Sequence, residues 1–186
     1  FIVEEKEKKI IRGKIRKELE ISEEDLILIH SGKFDKLKKT RELLASFAKI
    51  KNKNIHLIII GSIPNDNRIL YDFIKKDKRV KYLGWKSGDE LLEYICASDI
   101  YIQPGTQSST AITAVCCGLP TFLYPYISYE KIFDTNTFWV KDEKEIRETV
   151  EKVLENPDLL ENMSKRSYEI AKNILDYRKL AARIYL

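Results

Sequence analysis

Four short apolar runs, each closed by a glycine, constrain this chain more than any other feature. They are Asp25–Ser31 before Gly32, Ile55–Ile60 before Gly61, Val80–Leu83 before Gly84, and Ile100–Gln103 before Pro104-Gly105. Aliphatic and β-branched runs without polar alternation mark strands buried on both faces. The segments between them carry apolar residues at helical spacing: Leu43, Leu44, Phe47 and Ala48, then Ile69, Leu70, Phe73 and Ile74, then Leu91, Leu92 and Ile95. The third of these opens on Ser87-Gly88-Asp89-Glu90, a capping-box spacing. Strands alternating with helices in this way build βαβ crossovers, and so an α/β fold with a doubly wound parallel sheet. Thr121–Tyr124, after Pro120, and Thr137–Val140 bring the expected sheet to six strands.

The flanks read differently. Residues 1–24 are charge-dense, with Ile10, Ile11, Ile15 and Leu19 at helical spacing, and predict a lead-in helix with an exposed face. Residues 25–140 form the βα core and residues 141–186 a set of helices. Asp142 with Glu145 opens the first of these, through Leu154; Asn156-Pro157 breaks it and starts a second, through about Asn173; Asp176–Tyr185 makes a third. A length of 186 residues, 44% hydrophobic and 33% charged, suits one soluble globular domain. There is no apolar run of about 18 residues and no signal-peptide pattern. A first residue other than Met reads as a piece of a longer protein. The net charge of +4 is too mild to argue for nucleic acid. Cys96, Cys116 and Cys117 lack metal-ligand spacing and read as reduced core residues of a cytoplasmic protein.

Ligands of doubly wound sheets collect at the carboxyl ends of the strands, so the loops after the first four strands should line one crevice. The first loop holds Lys33, Lys36, Lys38, Lys39 and Arg41 against the single acid Asp35. The fourth, Gly105 to Thr110, leads into a helix that Ser108, Ser109 or Thr110 can cap. A helix start offers unsatisfied N–H groups and the positive end of a dipole, so lysines and amides here could share a diphosphate. Such a site needs no divalent metal, and the sequence offers no carboxylate cluster for one. Trp85 either covers the core edge or walls a nucleobase pocket by stacking. His30 and His56 lie on or beside apolar strands and read as satisfied core histidines. Neither GxGxxG nor the P-loop pattern occurs.

The order of these landmarks resembles a known family. Gly32-Lys33-Phe34 with Lys38 six residues after the glycine is similar to the G-R-L-x-x-x-K-G segment of GT-B glycosyltransferases, above all retaining family 4, the glycosyl transferases group 1. Leu57–Gly61, Val80–Gly84, Ala97–Pro104 and Cys117-Gly118-Leu119-Pro120 follow in that family's order, over about residues 12 to 175. The resemblance implies one Rossmann-like half of a GT-B fold, the nucleotide-sugar-binding half, with an acceptor domain preceding Phe1. It implies Lys33 and Lys38 on the donor diphosphate, and Trp85 and Lys86 by the base. Gly32, Gly61, Gly105, Gln107, Ser108, Ser109, Thr110 and Thr113 would sit around the phosphates and sugar. The substrate implied is a UDP- or GDP-sugar, with no cofactor and no metal, and a sugar or lipid-linked glycan as acceptor. Localisation would be cytoplasmic, with peripheral attachment to the inner face of the membrane open to the whole protein. Relatives commonly carry an E-x7-E pair here; this chain has Gly105 and Thr113 at those positions, with Gln107 near the first. An epimerase of the same architecture and a non-catalytic nucleotide-sugar-binding module are the alternative readings.

Overall fold

In the computed structural model, which describes residues 2–184, six strands lie where the apolar runs predict them. They are β1 (Leu26–Lys33), β2 (Ile55–Ser62), β3 (Val80–Tyr82), β4 (Ile100–Gln103), β5 (Thr121–Leu123) and β6 (Thr137–Trp139). All pair in parallel, in the order β3-β2-β1-β4-β5-β6. The order reverses between β1 and β4, which puts the switch point at their carboxyl ends.

The helices are α1 (Glu5–Glu18), α2 (Thr40–Phe47), α3 (Leu70–Lys76), α4 (Gly88–Ala97), α5 (Thr110–Cys116), α6 (Glu143–Glu155), α7 (Asp158–Ile170) and α8 (Tyr177–Ile184). Successive side chains of a strand point to opposite faces, so each apolar run feeds two cores. Ile27, Ile29, Ile58, Ile60 and Tyr101 pack with Ala111, Val115 and Ile170 on one face. Leu28, Leu57, Ile59, Ile100 and Ile102 pack with Leu43, Phe47 and Val150 on the other. The three cysteines are free and buried, as small core residues.

Local chemistry sets the helix ends. Ser87 and Glu90 form the reciprocal capping box that opens α4. The Asp142 side chain accepts the Glu145 N–H at 2.9 Å at the start of α6, and Asn156-Pro157 separates α6 from α7. Beyond Ile170 the helix widens into a π turn, Ala171–Leu175, which carries it slightly past the expected Asn173. The predicted end of the last helix, Tyr185, lies outside the described residues.

The lead-in helix differs from its apolar pattern. Ile15 is buried, but Ile10 is 75% exposed, and the side chain that α1 buries beside Ile15 is Arg16. Arg16 donates to the carbonyls of Ala97 (3.0 Å), Ser22 (2.6 Å) and Asp25 (2.8 Å) and to Asp99 Oδ2 (2.7 Å). Asp99 also accepts from Arg12 at 2.7 Å and from the Ile27 N–H at 2.7 Å. A polar bracket therefore fastens α1 to the entries of β1 and β4.

Candidate functional site

Beside the switch point the ends of β1 and its other neighbour, β2, approach more closely than side chains permit. A Cβ on Gly61 would lie 1.8 Å from the Gly32 carbonyl oxygen, and both glycines have φ near +140° (137° and 148°), where L side chains are strained. Beyond β1 the Asp35 carboxylate accepts the N–H groups of Leu37 (3.0 Å) and Lys38 (3.2 Å), winding Lys36–Lys38 into a 3-10 turn. This turn brings Lys38 back over the strand end, with its Nζ 3.5 Å from where a Gly32 Cβ would be and 3.3 Å from the Gln107 carbonyl, to which it donates. Burial pulls the Lys38 pKa below its ordinary value, against the pull of Asp35.

His30 supports this turn from below. Its Nδ1–H donates to the Ile102 carbonyl at 2.9 Å, Nε2 accepts from the Thr40 hydroxyl at 2.9 Å, and the ring stacks on Phe34. Complete burial holds the ring neutral and pushes its pKa down to about 4, despite the Ile102 hydrogen bond, which favours the charged form. Below pH 6.5 the unfolded chain binds a proton that the folded ring refuses until about pH 4. Stability from this site is thus full above pH 6.5 and is lost as pH falls toward 4, by up to about 3 kcal/mol. Urea unfolding at about pH 7 and about pH 4.5 is expected to show this loss in the wild type and a correspondingly smaller one in His30→Asn.

The loop from β4 to α5 is braced from both sides. Gly105 lies against the 3-10 turn, where a Cβ would meet the Leu37 oxygen at 2.2 Å, and the Thr106 N–H donates to that oxygen at 3.1 Å. The buried Gln103 amide donates to the Thr106 carbonyl at 2.9 Å. On the far side, Gln107 bonds Ser128 through its side-chain amide, and the Ser108 N–H donates to the Tyr129 hydroxyl at 2.9 Å. The buried Tyr101 hydroxyl lies beneath, 3.4 Å from Ser31 Oγ.

These bonds correct the expected amide cradle. Ser108 caps α5, accepting the Thr110 N–H at 3.3 Å, whereas Ser109 makes no side-chain cap. The amides of Thr106, Ser108 and Thr110 are engaged within the protein, and those of Gln107 and Ser109 have no partner among the described residues. With seven residues, α5 also has a modest dipole.

A cleft of about 230 Å³ opens beside this brace. Gly32 and Lys33 wall it from β1, Gly61 and Ser62 from β2, and Trp85 and Lys86 from the loop after β3, with Thr110 at the start of α5. Trp85 is 74% exposed, so it stands as a free wall and does not cover the core edge. Lys86 leans toward Glu90 at 3.5 Å. Lys38 adjoins Gly32 at the cleft edge, while Gln107 and Ser109 are exposed on the brace and Thr113 is exposed one turn beyond Thr110, outside the cleft wall.

The expected cluster of five cations disperses. Lys36 and Arg41 line a separate hollow with Asp66, and Lys39 donates to the Lys141 carbonyl at 3.2 Å over the Tyr124 ring. Lys33 and Lys38 remain at the cleft, joined by Lys86. Tyr129, Tyr101 and Gln103, which hold the loop, carry no motif; a lone tyrosine and glutamine in the otherwise aliphatic β4 were the available signal. A larger hollow of about 550 Å³ between α2 and α6 has charges that pair with one another, as Lys49 does with Glu143 at 3.1 Å, and no aromatic wall. Among the described residues no group of three or more His, Cys, Asp or Glu side chains could hold a metal ion, and no helix is long and apolar enough to cross a membrane.

The family model described as glycosyl transferases group 1 matches residues 11–170. N-acetyl-alpha-D-glucosaminyl L-malate synthase of Bacillus anthracis is 31% identical over 113 residues, 57% of this chain and 29% of that protein. Among solved structures, Anabaena Alr3699/HepE in complex with UDP superposes with a TM-score of 0.84 at 17% identity, covering 95% of this chain and 51% of that one. The C-terminal domain of the glycosyl transferase group 1 protein LpcC from Francisella tularensis gives 0.74 at 15% identity, covering 88% and 92%. The chain therefore spans under a third of the curated relative and about half of HepE.

Proposed function

This chain belongs to the glycosyl transferases group 1 family, and on that premise we propose that it is the donor-binding half of a retaining hexosyltransferase. The donor is a UDP- or GDP-linked sugar, and the acceptor is a growing polysaccharide or lipid-linked glycan held by a half that lies outside this chain. The observation that carries the reading is the convergence of Lys33, Lys38 and Lys86 with a solvent-facing Trp85 at the glycine-edged switch point. HepE, whose fold is shared, has been crystallised with UDP, with UDP and glucose, and with UDP-glucose.

In this reading Trp85 stacks on the base, the close approach of Gly32 and Gly61 leaves room for the diphosphate, and Lys33 and Lys38 neutralise its charge as it departs. Positioning and electrostatics supply the rate enhancement, with no metal. The chain alone transfers nothing; the whole protein works in the cytoplasm or at the inner membrane face. One observation favours a second reading, a binding module without catalysis: the cleft wall carries no carboxylate. The epimerase reading has no such support, because His30 is held by Ile102 and Thr40, and His56 by Asp25.

Tryptophan fluorescence tests the reading on this chain. UDP-glucose or GDP-mannose is expected to change the emission saturably, and Trp85→Phe to remove most of the change while Trp139 remains. No response to any nucleotide sugar overturns the donor reading. Sugar transfer by the full-length protein separates the enzyme from the module.

A further inference from the structure

A further cavity, of about 300 Å³, lies between α1 and α7. Cys96, Asp99, Cys117 and Gly118, which adjoin it, belong to the connections entering β4 and β5 at their amino ends. The cavity thus stands at the opposite edge of the sheet from the donor cleft and shares no wall residue with it.

Most of its polar groups are already engaged. Lys165 pairs with Glu161 at 2.6 Å, Arg12 with Glu23 at 3.1 Å and Asp99 at 2.7 Å, and Ser164 donates to the Gly118 carbonyl at 2.7 Å. Four groups are not, and one of them is a carboxylate: Glu5 is exposed and makes no ion pair or hydrogen bond among the described residues. Lys8, half-buried, and Lys9, exposed, make no ion pair or hydrogen bond among the described residues. Tyr168 is 8% exposed, its ring lies against Gly118, where a Cβ would fall 2.1 Å from Cε2, and its buried hydroxyl has no partner among the described residues. Burial lowers the Lys8 pKa, and Asp99, the first acid that opposes this, is already shared by two arginines.

A buried hydroxyl without a partner is costly, and so is an ammonium stripped of part of its water. One ligand that is both an acceptor and an anion relieves both. The volume matches the lower end of small-molecule sites, and the two unpaired ammonium groups outweigh the single unpaired carboxylate of Glu5, which leaves the site net positive for an anion. We propose that the α1–α7 cavity binds a small phosphomonoester, its phosphate held by Lys8 and the Tyr168 hydroxyl, with Lys9 at the mouth.

The test is amide NMR on this chain, titrated with glycerol 3-phosphate and with inorganic phosphate, against sodium chloride at matched ionic strength. Saturable shifts are expected in residues 5–12 and 161–168. Lys8→Met should weaken binding by about tenfold or more and Tyr168→Phe by several-fold, while Lys33→Met, at the donor cleft, should leave it unchanged. Tyr168→Phe removes one unpartnered oxygen and is expected to fold as the wild type does, so it remains informative should Lys8→Met disturb α1. Shifts confined to residues 32–38 and 105–110, no saturable shifts, or an affinity untouched by both substitutions, which is an adventitious ion only, would each overturn the proposal and leave the donor reading standing.

Discussion

Replacing Asp99 by alanine is expected to leave the protein barely folded. One carboxylate oxygen takes Arg12 at 2.7 Å; the other takes Arg16 at 2.7 Å and the Ile27 N–H at 2.7 Å. Arg16 is 1% exposed, and burial already pulls its pKa below the ordinary arginine value, with Asp99 as the leading counterweight. Removing that counterweight strands a buried guanidinium and orphans the Ile27 amide near the start of β1. Breaking one partner of such a pair costs about 3–5 kcal/mol, a large share of the roughly 5–15 kcal/mol that holds a domain together. Urea unfolding should give that loss, or no cooperative transition. A variant within about 1 kcal/mol of wild type would show that the bracket is incidental.

In the full-length protein, Lys38→Ala is expected to lower kcat/KM for sugar transfer by about 100- to 1,000-fold, the scale set by losing one preorganised charge on a departing anion. The reason is where Lys38 is held. The 3-10 turn capped by Asp35 folds it over Gly32, and its contact with the Gln107 carbonyl aims it across the gap between the β1 and β4 loops. Partial burial leaves its charge poorly hydrated, so an incoming diphosphate has little water to displace. Because Gly105 and Thr106 rest on the same turn, the substitution should also loosen the β4–α5 loop. A loss under about fivefold, in product assays at subsaturating donor, would remove Lys38 from the reaction.

The fold was legible because its strands are buried on both faces: an uninterrupted aliphatic run such as Leu57–Ile60 has few other uses, and its terminal glycine has a steric cause, since a Cβ there would fall 1.8 Å from the Gly32 carbonyl oxygen. The crevice followed from strand topology, and Lys33, Trp85 and Lys86 reached it because Lys33 ends β1 and the other two lie in the short loop after β3. What escaped was set by side-chain direction and by long-range partners. A run of five cations reads as one patch, yet the 3-10 turn and the start of α2 place Lys36 and Arg41 at a separate hollow from Lys38. The helix start that looked ready for an anion has the Ser108 amide closed by Tyr129, a partner 21 residues later. Arg16 sits in a helical pattern that promised exposed charge, and its burial rests on partners that the pattern does not show, chief among them Asp99, 83 residues away, and the Ala97, Ser22 and Asp25 carbonyls.

The most direct measurement is calorimetric titration of this chain with UDP-glucose and GDP-mannose, alongside Lys33→Ala, Lys38→Ala and the double variant. The wild type is expected to bind one of these donors saturably and one to one. Each single substitution should weaken this binding by about 10- to 100-fold, the worth of one charge-assisted contact, and the double should abolish detectable heat. Equal affinity in all four proteins, or no binding of either donor by the wild type, would contradict the donor reading.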